Sequence, residues 1–263
     1  MIYFVGAGPG NKELLTLKGA RLLTEADCII YAGSLVNPEL LEFAKEGCAV
    51  YDSAKMTLEE VVAVMCEWEK GSQKKLHNEQ PVIVRLHTGD PSLYGAIREQ
   101  IDALNRLGIL YEVVPGVSSF SAAAASLGAE FTLPGVSQTL ILTRMEGRTP
   151  VPAKEDLVEL AKIQSSLVVF LSADKLSELS ARLIEGGYSQ ETPAAIVYKA
   201  SWPEELVVKT TLLQLPEAGK KAGITKTALI LVGRFLGDSY ERSLLYHPDF
   251  THGYRTGGGN NDA

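Results

Sequence analysis

Three short segments hold the residues best suited to chemistry, and each follows an apolar run. The first is Gly6-Ala7-Gly8-Pro9-Gly10-Asn11. A dinucleotide fingerprint would need a glycine where Asn11 stands, and Pro9 removes a backbone N–H that a pyrophosphate would use. What remains is a tight turn beside a ligand, or a Gly/Pro turn with none. The second is His87-Thr88-Gly89-Asp90-Pro91-Ser92-Leu93-Tyr94-Gly95. Gly89 lets a ligand approach the backbone, and Asp90 is a candidate for an essential carboxylate. Asp-Pro before a helix also reads as an N-cap with a first-turn proline. Both hold together if one oxygen caps and the other faces a cleft. The third is Val114-Pro115-Gly116-Val117-Ser118-Ser119. Its hydroxyls and the following helix N–H groups suit a polar ligand, or the serines simply cap the helix. No G-x-S-x-G surrounds them, which leaves an acyl-transfer triad without support.

Two more segments carry cations. Leu142–Pro150 places Arg144 and Arg148 in a Gly/Pro-bounded loop. They suit forked pairing with carboxylates, or are solvated loop charges. Tyr198-Lys199-Ala200-Ser201-Trp202-Pro203 sets a lysine among aromatics, lining a surface or making a turn. His247 and His252 lack further ligands at metal spacing, so a metal site is not expected. Tyr246, Phe250 and Tyr254 read as anchors docking the end of the chain. Cys28, Cys48 and Cys66 form no C-x-x-C pair and read as small buried hydrophobes in a reducing compartment.

The elements that must position these segments alternate. Ile2–Val5, Cys28–Tyr31, Val82–Leu86 and Leu110–Val114, with a weaker Ala49–Tyr51, lack polar alternation, as strands buried on both faces do. Helical patterns lie between them: one after Asn37-Pro38, one opened by the capping box Thr57–Glu60 and closed by Gly71, and one from Tyr94 to Leu107. This predicts an α/β fold with a mainly parallel first sheet over 1–116. In the second half, Phe120–Leu127 and Lys175–Glu185 read as helices. Gln138–Thr143, Leu167–Leu171, Ala194–Lys199, Glu205–Leu212 and Ala228–Phe235 read as strands. The link Ser201–Glu204 is too short for a helical crossover, so its strands are expected as antiparallel neighbours in a mixed sheet over 117–238. Residues 239–263 form a tail whose low-complexity end, from Thr256, is expected to be disordered.

Composition bounds the function. With 263 residues, 46% of them hydrophobic, folding can bury roughly 70–75% of the chain's surface without disulfide or metal. A net charge of -7 argues against non-specific binding to nucleic acid or acidic membranes, though not against a local basic patch. The N-terminus has no basic n-region or cleavage site, and no apolar run approaches the roughly 18 residues of a membrane span. A soluble, cytoplasmic protein is expected.

Taken in order, Gly6–Gly10, Thr88-Gly89-Asp90-Pro91 with Tyr94-Gly95, and Val114–Ser119 resemble the motifs of the tetrapyrrole methylase family. These are S-adenosylmethionine-dependent enzymes of cobalamin and siroheme synthesis, and the resemblance covers about residues 1–236. Tyr31–Val36, Ile141–Arg144 running to Glu146–Pro152, and Tyr198–Pro203 resemble the branch that methylates carbon 11 of precorrin-4 or cobalt-precorrin-4. The resemblance implies two α/β domains flanking a trough, usually as a homodimer, with the methyl donor between the domains and the tetrapyrrole in the trough. Carried over by position, the donor pocket would include Pro9, Gly89, Asp90, Leu93, Ser118, Ser119, Phe170, Leu171, Ala200, Thr227 and Ala228. Leu171-Ser172 departs from the Met-Gly common in the family. Substrate-side candidates are Ser34, His87, Tyr94, Arg144, Arg148 and Lys199, the cations offsetting the macrocycle's carboxylates. The implied reaction passes a sulfonium methyl in line to a ring carbon, which needs proximity and a desolvated pocket. Asp90 stands nearby as the catalytic candidate, without a nucleophilic residue or a metal. The alternatives are methylation of another corrin carbon, an NAD-dependent dehydrogenase, and a non-catalytic tetrapyrrole carrier.

Overall fold

The computed structural model describes residues 1–71 and 80–258. The last residues of the tail, 259–263, to which the expectation of disorder extends, lie outside the described residues. The chain divides into two compact units.

The first unit comprises Met1–Ser126 and Lys199–Leu206. Its strands are β1 (Ile2–Gly6), β2 (Cys28–Tyr31), β3 (Ala49–Asp52), β4 (Ile83–His87) and β5 (Tyr111–Val114). Its helices are α1 (Leu17–Glu25), α2 (Leu58–Gly71), α3 (Ile97–Arg106) and α4 (Ser119–Leu127). The sheet order is β3-β2-β4-β1-β5, and its four strand pairings are parallel, as expected. Alternation along the strands supplies both faces. Ile2, Phe4, Ile30 and Ile83 pack against Val61, Met65 and Leu104 on one side. Val5, Ile29, Val84 and Leu86 pack against Leu22, Leu23 and Leu40 on the other. Burying each such side chain contributes roughly 1.5–3 kcal/mol, which is why these strands show no polar alternation.

The capping box opening α2 forms: Glu60 N–H donates to Thr57 Oγ1 (3.3 Å), and Thr57 N–H donates to Glu60 Oε2 (2.7 Å). Two helical expectations change. Asn37 does cap, accepting from Glu39 N–H at 3.1 Å, but the turn it opens over Pro38–Phe43 is a 3₁₀ helix. The helix expected from Tyr94 starts only at Ile97, because Tyr94 and Ala96 have φ of 56° and 49°, outside the right-handed helical range.

The second unit comprises Leu127–Tyr198 and the chain from Val207. Its strands are β6 (Leu140–Arg144), β7 (Ser166–Phe170), β8 (Pro193–Tyr198), β9 (Leu206–Thr211) and β10 (Ala228–Val232). Its helices are α5 (Leu157–Ala161), α6 (Leu176–Glu185) and α7 (Leu215–Lys221). The order β6-β7-β10-β8-β9, with β6 and β7 parallel and β10 antiparallel to β7 and β8, makes the sheet mixed, as expected. Leu167, Val169, Leu179, Leu183, Leu212, Leu215 and Ile230 form its core. The division of the chain falls at the end of α4, between Ser126 and Leu127, whereas the boundary expected from the sequence is at 116, before that helix; the connection from β8 to β9 goes with the first unit. Among the described residues no helix is long and apolar enough to cross a membrane.

Candidate functional site

In the first unit, the loops leaving β1, β4 and β5 meet at the carboxyl edge of the sheet, where ligands of open α/β sheets bind. Parallel register brings them level: Val5 faces Leu86 on one side and Val114 on the other. Ala7 N–H donates to the His87 carbonyl (2.6 Å), and Gly8 and Gly89 exchange hydrogen bonds of 3.2 and 2.8 Å. The closeness depends on glycine. A Cβ on Gly6 would lie 2.6 Å from Gly116 Cα and 2.7 Å from the Gly89 carbonyl oxygen. Gly89 has φ of +59° and sits against the Ser118–Ser119 backbone. Pro9, Gly89, Ser118 and Ser119 are thereby brought together. Ser118 is buried, and its carbonyl accepts from Ser121 and Ala122 N–H groups as α4 begins. Leu93 is half-buried and donates its N–H to the Asp90 carbonyl (3.2 Å).

Asp90 ties these loops together. One carboxylate oxygen accepts from Ser92 N–H (2.9 Å) and from the Ser92 hydroxyl. The other accepts from Gly116 N–H at 2.9 Å, where the sequence leaves it free to face a cleft. Burial raises the Asp90 pKa, but the hydrogen bonds from the Ser92 hydroxyl and the Gly116 and Ser92 N–H groups outweigh it and hold the carboxyl below its usual range.

His87 does not join this edge chemistry. It is 4% exposed, and its Nε2 has no hydrogen-bond partner. Burial and the nearby Arg85 push its pKa down to about 3, so the imidazole is neutral at pH 7. It therefore adds no positive charge for a substrate. Arg85 is buried, donating to Gln100 Oε1 and the Ile30 carbonyl, both at 3.2 Å, and burial lowers its pKa to about 10. Tyr94 is 46% exposed and held at positive φ. Ser34 lies in the Gly33–Leu35 turn, and its side chain falls outside the described residues.

The segment 199–206 brings Lys199 and Ala200 to the same unit. Ala200 is buried, and Lys199 Nζ pairs with Glu204 (3.5 Å) while lying 4.9 Å from the centre of the Trp202 ring. Trp202 Nε1–H donates to the Pro9 carbonyl (2.8 Å), and Asn11 N–H donates to Ser201 Oγ (3.0 Å).

In the second unit the remaining candidates gather at one sheet edge. Arg144 pairs in register with Phe170, and Ala228 with Tyr198. Leu171 follows β7 and Thr227 precedes β10, at φ of 53° and 55°. Such conformations cost about 1–3 kcal/mol for ordinary residues and concentrate at functional sites. Leu171 is also 65% exposed, an apolar side chain presented to solvent. Phe170 and Ala228 are buried behind it. Arg144 does not stand free: its guanidinium donates to the Met145, Thr149 and Pro150 carbonyls (3.2, 3.2 and 2.8 Å) and so shapes its own loop. Arg148, in that loop, is exposed. The sequence reading missed Ser172. This fully buried hydroxyl donates to the Phe170 carbonyl (2.7 Å) and accepts from Met145 N–H (3.0 Å), linking the ends of β6 and β7. Among the described residues no group of three His, Cys, Asp or Glu side chains is placed to hold a metal ion.

Residues 1–216 match the family of tetrapyrrole (corrin/porphyrin) methylases. The chain belongs to the tetrapyrrole methylase family. A cobalt-precorrin-4 C(11)-methyltransferase of Methanocaldococcus jannaschii is 53% identical over 255 residues, covering 97% of this chain and 95% of that protein. The X-ray structure of a cobalt-precorrin-4 methyltransferase superposes with a TM-score of 0.85 at 45% identity, covering 90% of this chain and 96% of that one. The uroporphyrin-III C-methyltransferase of Thermus thermophilus, solved with S-adenosylhomocysteine, superposes at 0.73 and 31% identity, covering 89% and 98%. The three interlocked loops described above lie within the matched residues. Gly6 and Gly8 of the pattern at 6–10 make the loop contacts described above.

Proposed function

We propose that this methylase transfers a methyl group from S-adenosylmethionine to carbon 11 of a precorrin-4-type tetrapyrrole, with cobalt or without it. One observation supports the donor site above the rest: Gly6, Gly89 and Gly116 are pressed together at the carboxyl edge of the first sheet, opening backbone beside Ser118 and Ser119. The 53% identity to a C(11)-methyltransferase supports the choice of carbon. On this reading Pro9, Gly89, Leu93, Ser118, Ser119 and Ala200 of the first unit hold the donor. Phe170, Leu171, Thr227 and Ala228, at one edge of the second unit's sheet, are proposed for the donor on the family resemblance alone.

The bound donor supplies an electrophilic methyl group on a sulfonium. The protein's task is then to align and to exclude water, since charge disperses as methyl leaves sulfur. Exposed Leu171, held in a strained conformation, suits apolar contact with such a cation's surroundings. Asp90 acts here as a positioning residue: both its oxygens already accept hydrogen bonds from the loops. Arg148 and Lys199 are the cations assigned to substrate carboxylates, while Arg144 orders the loop that presents Arg148. The same reading takes the protein as cytoplasmic and as a homodimer, the latter tested by light scattering on the purified protein. Calorimetric titration with S-adenosylhomocysteine tests the donor site. Micromolar binding is the expected result, and its absence removes the reading.

A further inference from the structure

If the donor sits on the first unit's loops, as proposed above, something must hold the Gly6–Asn11 turn in shape, because a chain of Gly, Ala and Pro has few side-chain contacts of its own. We infer that Trp202 is a positioning residue for methyl transfer: its indole clamps the Pro9–Gly10 backbone and thereby sets the donor-facing turn.

Three contacts close on consecutive residues of that turn. Trp202 Nε1–H donates to the Pro9 carbonyl (2.8 Å). Ser201 Oγ accepts from Asn11 N–H (3.0 Å). From the other side, buried Asn37 donates its side-chain amide to the Gly10 carbonyl (2.9 Å). The indole also occupies the space where residue 10 would carry a side chain. A Cβ on Gly10 would lie 2.8 Å from Trp202 Cγ and closer still to its pyrrole-edge atoms. The indole thus leaves room at position 10 only for glycine. Nor is the clamp's own backbone relaxed. Lys199 and Ser201 take φ of 46° and 68°, left-handed conformations that non-glycine residues adopt at a cost and that a turn retains when its contacts determine it. Lys199 over the ring and its pair with Glu204 complete the turn. None of these contacts makes Trp202 a catalytic group. It acts through Gly10 and through Pro9, which lies 193 positions earlier in the sequence.

The test separates clamp from bulk. Trp202→Phe keeps an aromatic ring at this position while deleting the N–H donor together with part of the indole's bulk. It is expected to weaken S-adenosylhomocysteine binding about three- to tenfold, the size of one lost hydrogen bond. With a precorrin-4 substrate, the donor KM should rise in proportion while kcat stays within about twofold, a split that general loss of folded protein does not produce. Gly10→Ala alone should weaken donor binding at least about tenfold through overpacking. Added to Trp202→Ala, which vacates the space, it should cost little more, so the two changes couple in a mutant cycle. Wild-type donor affinity in Trp202→Phe, or an equal cost of Gly10→Ala with and without the indole, overturns the inference while leaving the donor site standing. Failure of the wild-type protein to bind S-adenosylhomocysteine overturns both.

Discussion

Substituting Gly6 by alanine probes the contact on which the donor site depends. The added methyl would lie 2.6 Å from Gly116 Cα and N and 2.7 Å from the Gly89 oxygen, all backbone atoms that cannot rotate away. Ordinary carbon contacts begin near 3.4 Å, so the loops after β4 and β5 must withdraw by about 0.8 Å. Overpacking of this kind costs roughly 1–3 kcal/mol, and loss of one inter-loop hydrogen bond adds about 1 kcal/mol. The total, about 2–4 kcal/mol, lowers the unfolding midpoint of the first unit by about 4–16 °C at roughly 2–4 °C per kcal/mol. A displacement approaching 1 Å at the donor-facing backbone should also cut kcat/KM by up to about a hundredfold. Scanning calorimetry and a methyl-transfer rate assay read these two effects, and S-adenosylhomocysteine titration reads donor-site binding. Gly253→Ala is the control, because among the described residues a Cβ there meets nothing within 4 Å, and it should leave these readouts unchanged. If Gly6→Ala melts within 2 °C of wild type and binds the product equally well, the close-contact reasoning is wrong.

Other consequences are open to measurement. Asp90→Asn should cost about 1–2 kcal/mol at pH 7, since an amide keeps one acceptor and turns N–H groups toward Gly116, with partial exposure moderating the loss. Because the folded-state pKa of Asp90 is depressed, its contribution is complete above the unfolded value of 3.8 and fades as pH falls through the folded value. Urea titrations at pH 7 and pH 3 should therefore show the deficit shrinking. His87, with its pKa lowered from 6.5 to about 3, binds a proton more readily when unfolded, so folding loses about 1.4 kcal/mol per pH unit as pH falls below 6.5. His87→Gln should remove that part of the slope between pH 6.5 and 5, and an unchanged slope would refute the buried neutral imidazole. Ser172→Ala leaves the buried Met145 N–H without its acceptor and should destabilise the second unit by about 1–3 kcal/mol in chemical denaturation.

The strands of the first sheet were legible because both their faces are buried, which erases polar alternation over Ile2–Val5 and Cys28–Tyr31. The start of α2 was legible from the Thr57 capping box, whereas α1 and α5, capped by Thr16 and Asp156, were not read from the sequence, and the start of α3 was illegible because backbone geometry decides it. Tyr94 and Ala96 carry no sequence mark of the left-handed conformations that delay α3 to Ile97. The loops of the site were visible as motifs, but the partners of their side chains were not. Asp90 looked half-available, and only the fold shows Gly116 N–H on its second oxygen. Arg144 looked like a ligand for carboxylates, yet its own loop supplies three carbonyls. His87 lay in the right motif but on an inward face of β4, where alternation sets it in phase with Ile83 and Arg85. Trp202 and Ser172 were missed because their contacts are long-range or local to a loop end that propensity does not describe. A tryptophan in a proline-bounded turn was the one available signal.

The central claim is methyl transfer to one ring carbon, and the most direct test is to find that carbon. Purified protein, S-adenosylmethionine carrying a ¹³C methyl, and precorrin-4 or its cobalt complex are incubated together, and the product is read by ¹³C NMR. The account predicts a single new labelled methyl on carbon 11. Label on another ring carbon, or no label on the macrocycle from protein that binds S-adenosylhomocysteine, would contradict it.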